Sequence, residues 1–263
     1  MTKPDSTTAG GLEGIVAGQT AVCTLEGRMT YRGYAIEDLA AGASYEEVAY
    51  LLLHGELPTR PSLDAFQARI AAAAELPAPL VDALRAIPVD APMMDVMRTG
   101  CSMLAHYDPD VADNGREANL RKAERLLARL PLVMATKHRF NTGRAYAAAD
   151  SQRSLAENIL RLVTDREPDQ AATQAMNTSL VLYAEHEFNA STFTARCVAS
   201  TLADLHSAIT AAIGALKGPL HGGANERVLE VLEQVGAPAN AEPWIRNALA
   251  KKVRIMGFGH RVY

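Results

Sequence analysis

The sequence predicts an all-α fold, on three observations. Aromatic residues make up only 5% of the 263, alanine is abundant, and Val, Ile and Thr rarely cluster. That balance favours helix over sheet. Apolar residues recur at helical spacing in stretch after stretch. Short Pro- and Gly-bearing links join those stretches, with no internal repeat and no low-complexity tract.

The opening residues 1–11 (MTKPDSTTAGG) carry no apolar run and read as a flexible tail, not a secretory signal. The region 18–34 is the one exception to helix. Val22, Thr24 and Leu25 precede Glu26-Gly27, and Met29, Thr30 and Tyr31 follow, the pattern of a small β-hairpin turning on glycine. From Ser44 the pattern becomes helical. Ser44-Tyr45-Glu46-Glu47 has capping-box spacing, Val48, Leu51 and Leu52 follow on one face, and Gly55 is a natural stop. Pro58 and Pro61 break the chain. Helices are expected over about 62–76, 79–87, 93–106, 117–140, 152–164 and 169–185, with Pro131 kinking or splitting the 117–140 helix. The stretch 191–216 reads as the longest helix. Phe193, Cys197, Leu202, Leu205 and Ile209 share a face, and Ala195, Ala199, Ala203 and Ala208 surround it. A helix so apolar or small all round is buried or packs on a partner subunit. Lys217-Gly218-Pro219 is a sharp break, and Gly218–Gly223 is a candidate hinge. Helices from about 223 to 234 and 241 to 252 follow, and the chain ends in GFGHRVY.

Composition excludes several classes. Lys plus Arg is 26 against 30 Asp plus Glu, a net charge of −4, which disfavours a basic nucleic-acid binder. Cys23, Cys101 and Cys197 lie far apart without CxxC spacing, so neither a disulfide framework nor a zinc site is expected. No apolar run approaches the roughly 18–20 residues of a membrane span. A soluble cytoplasmic protein that binds neither membrane nor nucleic acid is the expectation.

Seven histidines are the candidates for chemistry. His54, His106, His138 and His206 lie inside helical patterns and read as surface or satisfied core residues. The other three lie at loop–helix junctions or among glycines. His221, in KGPLHGGANERV, precedes a helix start, which disfavours a positive charge there. A neutral imidazole of that kind can donate to an enol or enolate oxygen, with Gly222 and Gly223 admitting a ligand to the backbone; a plain turn residue fits the spacing equally. His186, in AEHEFNASTFTAR, precedes Asn189 and Ser191, both good N-cap types, so amides and imidazole there suit a carboxylate; an ordinary cap beside an incidental histidine is the simpler alternative. His260, in RIMGFGHRVY, follows Gly257 and Gly259, a loop that can approach a cofactor or simply turn at the surface. No HExxH, GxSxG or phosphate-loop spacing occurs, and no metal is expected.

Together HEFNASTFTAR, GALKGPLHGGANERVLEVL and RIMGFGHRVY closely resemble the citrate synthase family, and GLEGIVAGQTAVCTLEGRMTYRGYAIEDLA and APMMDVMRTGCSMLAHYDPD are similar to its N-terminal region. The resemblance runs from Gly11 to Tyr263. It implies a largely helical homodimer whose large and small domains close over a cleft. Here that is residues 1–222 and an incomplete small domain from 223 to 263. It implies Claisen-type condensation of acetyl-CoA with oxaloacetate, then thioester hydrolysis, with no permanently bound cofactor. By resemblance His221 stabilises the enol, His260 polarises and protonates the oxaloacetate carbonyl, and His186, with Asn189, binds oxaloacetate. Met256, Gly257, Phe258 and Gly259 then lie along coenzyme A. The family's catalytic aspartate lies beyond the glycine–histidine loop, and this sequence stops at Tyr263. The expectation is therefore a chain with little or no turnover on its own. 2-Methylcitrate synthase, which uses propionyl-CoA, and a non-catalytic helical dimerisation scaffold are the alternatives.

Overall fold

The computed structural model describes residues 18–25, 27–223 and 227–258. The expected tail 1–11, Glu26 at the hairpin turn, residues 224–226, and Gly259 and His260 lie outside the described residues.

The hairpin forms and carries a third strand. β1 (Cys23–Thr24), β2 (Thr30–Tyr31) and β3 (Tyr34–Ala35) pair antiparallel in that order, with Cys23 opposite Tyr31 and Thr30 opposite Ala35. Arg32 and Gly33 both take positive φ, the two-residue turn that suits strand twist. The chain passes directly into α1 (Ile36–Gly42), a helix the sequence pattern did not announce.

The expected helices follow with small shifts at their ends. α2 (Tyr45–His54) starts on the Ser44–Glu47 capping box and stops at Gly55, φ 99°. Next come α3 (Arg60–Ala73), α4 (Ala78–Ala86) and α5 (Met93–Leu104), the last running into a 3-10 turn at Ala105–Tyr107. α6 spans Arg116–Asn141, α7 Leu155–Thr164 and α8 Gln170–Leu182. α7 opens on a second capping box, Ser154 with Glu157.

Two expectations are corrected. Pro131 lies inside α6 without splitting it. An interior proline costs about 3 kcal/mol. The buried residues Ala128, Leu132, Val133 and Ala135 on either side offset that by packing into the core. The stretch 191–216 is not one helix. α9 (Ala190–Ala199) and α10 (Leu205–Leu216) are separate and pack against each other. Between them Leu202 adopts a left-handed φ of 64°, its carbonyl accepting from Asn114 Nδ2 at 2.7 Å, and Asp204 caps α10 through the Ser207 amide. Nor is the stretch deeply buried: α9 contributes no fully buried side chain, and α10 only His206, Ala208 and Ile213. α11 (Val228–Val235) and α12 (Ala241–Ala250) complete the described helices.

The main core joins α4 to α7 and α10 through Leu80, Leu84, Val96, Leu126, Val133 and Ile213. At Gly100 a Cβ would sit 2.5 Å from Val133 Cγ1, so α5 and α6 meet where only glycine fits. A second cluster joins the small sheet, α1 and α2 to Val181 at the end of α8. Among the described residues no helix is long and apolar enough to cross a membrane.

Of the histidines read as surface or satisfied core residues, His54 and His206 are packed inside, but His54 Nε2 and His206 Nδ1 find no hydrogen-bond partner. His54 stacks on Tyr50 at 4.1 Å. His206 is 2% exposed and faces Asp108 and Asp204, with Lys122 and Arg125 nearby. Burial, assisted by the two cations, holds its imidazole below the usual 6.5 against the pull of both carboxylates. A histidine with a depressed folded pKa binds its proton more readily once unfolded. Stability is then complete at neutral pH and falls as pH drops below the ordinary histidine range. The melting temperature is expected to fall between about pH 7.5 and about pH 5.5, above the carboxylate range, and His206→Gln to reduce that fall. An identical fall in the variant refutes the assignment.

Candidate active site

The site is built where the end of α8, the start of α9 and the turn after α10 converge. α8 stops at Leu182 and the chain runs without regular structure to Asn189, the N-cap of α9. Its Oδ1 accepts the Thr192 amide at 2.9 Å and contacts Ser191 Oγ at 2.6 Å. Of the two N-cap candidates in the sequence, Asn189 is the one that forms the cap, and Ser191 lies inside the helix. Asn189→Ala removes that acceptor and is expected to cost about 1 kcal/mol of stability, measured by urea unfolding. Ser191 sits one step inside the helix, where its amide lacks an intrahelical acceptor.

His221 supplies that acceptor. The Ser191 amide donates to His221 Nε2 at 3.2 Å, and Ser191 Oγ lies 2.9 Å from the same nitrogen. An amide proton cannot rotate away, whereas a hydroxyl proton can. The fixed donor therefore assigns Nε2 as acceptor and Nδ1 as the protonated nitrogen. Burial, and then the charge of His186, lowers the His221 pKa and keeps the ring neutral. The neutrality inferred from sequence is supported, with the contacting helix start belonging to α9.

The glycines beside His221 serve the turn itself. His221 and Gly223 amides both donate to Gly218 O, at 2.9 and 3.2 Å. A Cβ at Gly222 would lie 2.7 Å from Leu216 O, and one at Gly223 3.0 Å from Gly218 O. Both positions are crowded by the chain's own backbone, so these glycines let the turn fold tightly onto the end of α10.

His186 is half-buried in the corner between α8 and α9, close enough to His221 to influence its titration. Glu187 beside it takes a left-handed φ of 56°, uncommon for a residue other than glycine. Glu185 on the other side has its carboxyl raised by burial, even though the amides of Glu187 and His186 donate to it. Two contributors escaped sequence reasoning. Ser191 was singled out only as a cap, and its amide instead fixes the His221 tautomer. Tyr31, read only as a strand residue, is fully buried with its hydroxyl against Val181 O, Leu182 O and Glu185 O, at 3.0, 3.3 and 3.1 Å.

The structure thus brings together His186, Asn189, Ser191 and His221 from stretches some 30 residues apart. Met256 is half-buried, Gly257 takes φ 87° and packs close to Val228 at the start of α11, and Phe258 is largely exposed. Gly259 and His260 lie outside the described residues. Among the described residues no group of three or more His, Cys, Asp or Glu side chains is placed to hold a metal ion.

Residues 11–263 match the family model described as the citrate synthase C-terminal domain. A 2-methylcitrate synthase of Shewanella oneidensis is 44% identical over 100% of this chain and 70% of its own length. Citrate synthase 2 of Bacillus subtilis is 44% identical over 96% of this chain and 68% of its own. Among solved structures, citrate synthase from Pyrobaculum aerophilum superposes with a TM-score of 0.89 at 37% identity, over 96% of this chain and 66% of that one. The citrate synthase of Thermoplasma acidophilum, solved as a ternary complex with carboxymethyl coenzyme A and oxaloacetate, gives a TM-score of 0.87 at 32% identity, over 96% and 68%. A helical chain with a small sheet, a tautomer-fixed histidine at a helix start, and likeness across nearly its whole length to enzymes that condense acyl thioesters establish one conclusion: this chain belongs to the citrate synthase family.

Proposed function

We propose that the chain carries the oxaloacetate- and enol-binding half of an acyl-CoA condensing site. The observation that carries this reading is the neutral His221, its Nε2 tied to the start of α9 and its Nδ1–H left as donor, beside His186. Condensation requires the thioester methyl to lose a proton, and the negative oxygen that results needs a preorganised donor. A neutral imidazole donates without first taking up the proton. In this reading His221 holds the enol oxygen. His186, together with Asn189 and the first amides of α9, orients a carboxylate of oxaloacetate. His260 polarises the oxaloacetate carbonyl, and Met256, Gly257, Phe258 and Gly259 run along coenzyme A. None of the described residues is assigned as the base for the α-proton.

The same reading divides the chain at residue 222, between a large helical domain and the start of a smaller one, and gives it a second copy of itself as partner. Acetyl-CoA is the proposed thioester. Propionyl-CoA is the competing one, supported by the relatives named 2-methylcitrate synthase. An extra methylene is worth only about 1–3 kcal/mol in a pocket, so a few side chains decide between them.

Calorimetric titration of oxaloacetate tests the reading. One site per chain is expected, and an absence of binding overturns it. Release of the coenzyme A thiol, followed with each thioester with and without oxaloacetate, measures turnover and ranks the donors. Sedimentation equilibrium tests the dimer.

A further inference from the structure

We propose that Tyr31 positions His186, by fixing the residue that precedes it. This rests on the reading of His186 as a substrate-orienting residue. The corner from Glu185 to Phe188 has no helical or strand hydrogen bonding to hold it, yet it carries the imidazole that has to meet a ligand. What holds it comes from more than 150 residues earlier in the chain.

Tyr31 is completely buried. Its phenol lies within 3.0–3.3 Å of Val181 O, Leu182 O and Glu185 O, and the Glu185 amide donates back to it at 3.3 Å. The phenol has one proton to share among three carbonyls and a lone pair for the amide. Tyr31 thus joins the last carbonyls of α8 to the residue before His186. Cys23 lies directly opposite Tyr31 on β1 and is buried as well. The strand residue Tyr31 therefore grips residue 185. One residue past His186 the chain turns through the left-handed φ of Glu187. The same strands pack on α1, α2 and Val181, so the grip is anchored in a hydrophobic cluster. This gives the small sheet a task in a fold that is otherwise helical: it converts a loose corner into a fixed mount for a side chain.

Tyr31 is a positioning residue, and the test separates that role from bulk stability. Tyr31→Phe removes only the hydroxyl, and Phe66→Leu, a buried change in another cluster, serves as the control for lost stability. In the ligand-free chain, amide exchange at Glu185 is expected to rise about tenfold in Tyr31→Phe, the size of one lost hydrogen bond. The imidazole resonances of His186 are expected to shift while those of His54 and His138 stay in place. Phe66→Leu is expected to leave residues 185–187 unchanged. If Tyr31→Phe fails to fold, 3-fluorotyrosine at position 31 keeps the packing and alters only the phenol's acidity, and the same His186 shift is read. His186 resonances and corner exchange unmoved in the folded variant overturn the proposal. Oxaloacetate titration forms the second arm. With His186 mobilised, affinity is expected to fall about fivefold in Tyr31→Phe and not in the control. Failure of the unaltered chain to bind oxaloacetate overturns the substrate reading alone, because the exchange and resonance measurements need no ligand.

Discussion

Asp108→Ala is expected to lower the unfolding free energy by about 3–5 kcal/mol, the cost of removing one partner of a buried ion pair. The carboxylate is wholly buried. It accepts Arg125 Nε at 2.8 Å and Nη2 at 2.6 Å, accepts the Asp110 amide at 2.9 Å, and faces His206 Nε2 at 3.5 Å. Asp110 also binds Arg125, at 2.6 Å, and its own carboxyl is held well below the usual range by Arg121 and Arg125. That second carboxylate leaves Arg125 half-paired in the variant and sets the expectation toward the lower figure. The larger loss comes from the turn, because Asp108 ties the segment after α5 to α6 and to the start of α10. Asp108→Asn keeps an acceptor for the Asp110 amide and is expected to fall between the two proteins. Urea unfolding with an unchanged m-value measures the effect. A cost below about 1 kcal/mol refutes it, since that is the worth of an exposed pair.

The network around Asp108 also shows where sequence reasoning ends. Local signals were legible. The Ser44–Glu47 box, the stop at Gly55 and the Asn189 cap each depend on residues within one turn, and each forms as the pattern implies. The break in 191–216 depends on the tertiary fold. Alanines at 195, 199, 203 and 208 favour continuous helix, yet Asn114, 88 residues earlier, holds the left-handed turn at Leu202 by donating to its carbonyl. Asp204-x-x-Ser207 was a readable cap inside the run, and the apolar periodicity overrode it. Pro131 errs in the opposite sense: a strong local breaker is overruled by packing on both sides. The site divides in the same way. His186 and His221 were visible because each stands beside a cap or a glycine pair. That they face one helix start, and that Tyr31 supports the corner, are long-range facts with no local signature.

The second large effect concerns the His221 tautomer and rests on the proposed chemistry. Glutamine and asparagine place an amide at different depths: the polar atoms of glutamine overlie Nε2, those of asparagine Nδ1. If Nε2 serves only to accept the Ser191 amide and Nδ1–H holds the enol oxygen, the two substitutions separate the tasks. His221→Gln keeps an acceptor for Ser191, and so keeps the α9 start, but has no donor where Nδ1 was. Loss of one such donor costs about 10²–10³ in turnover. His221→Asn keeps a donor at the Nδ1 position and abandons Ser191, so it is expected to retain more turnover while losing stability. Both are expected to bind oxaloacetate within a small factor of the unaltered chain, because the enol forms from the other substrate. The check is the order of the two variants in exchange of the thioester's α-protons with deuterated solvent, which an added buffer base can drive without a catalytic aspartate. Glutamine outperforming asparagine places the working donor at Nε2. That nitrogen then cannot be the acceptor for the Ser191 amide, and the tautomer assigned from the fixed amide proton is wrong.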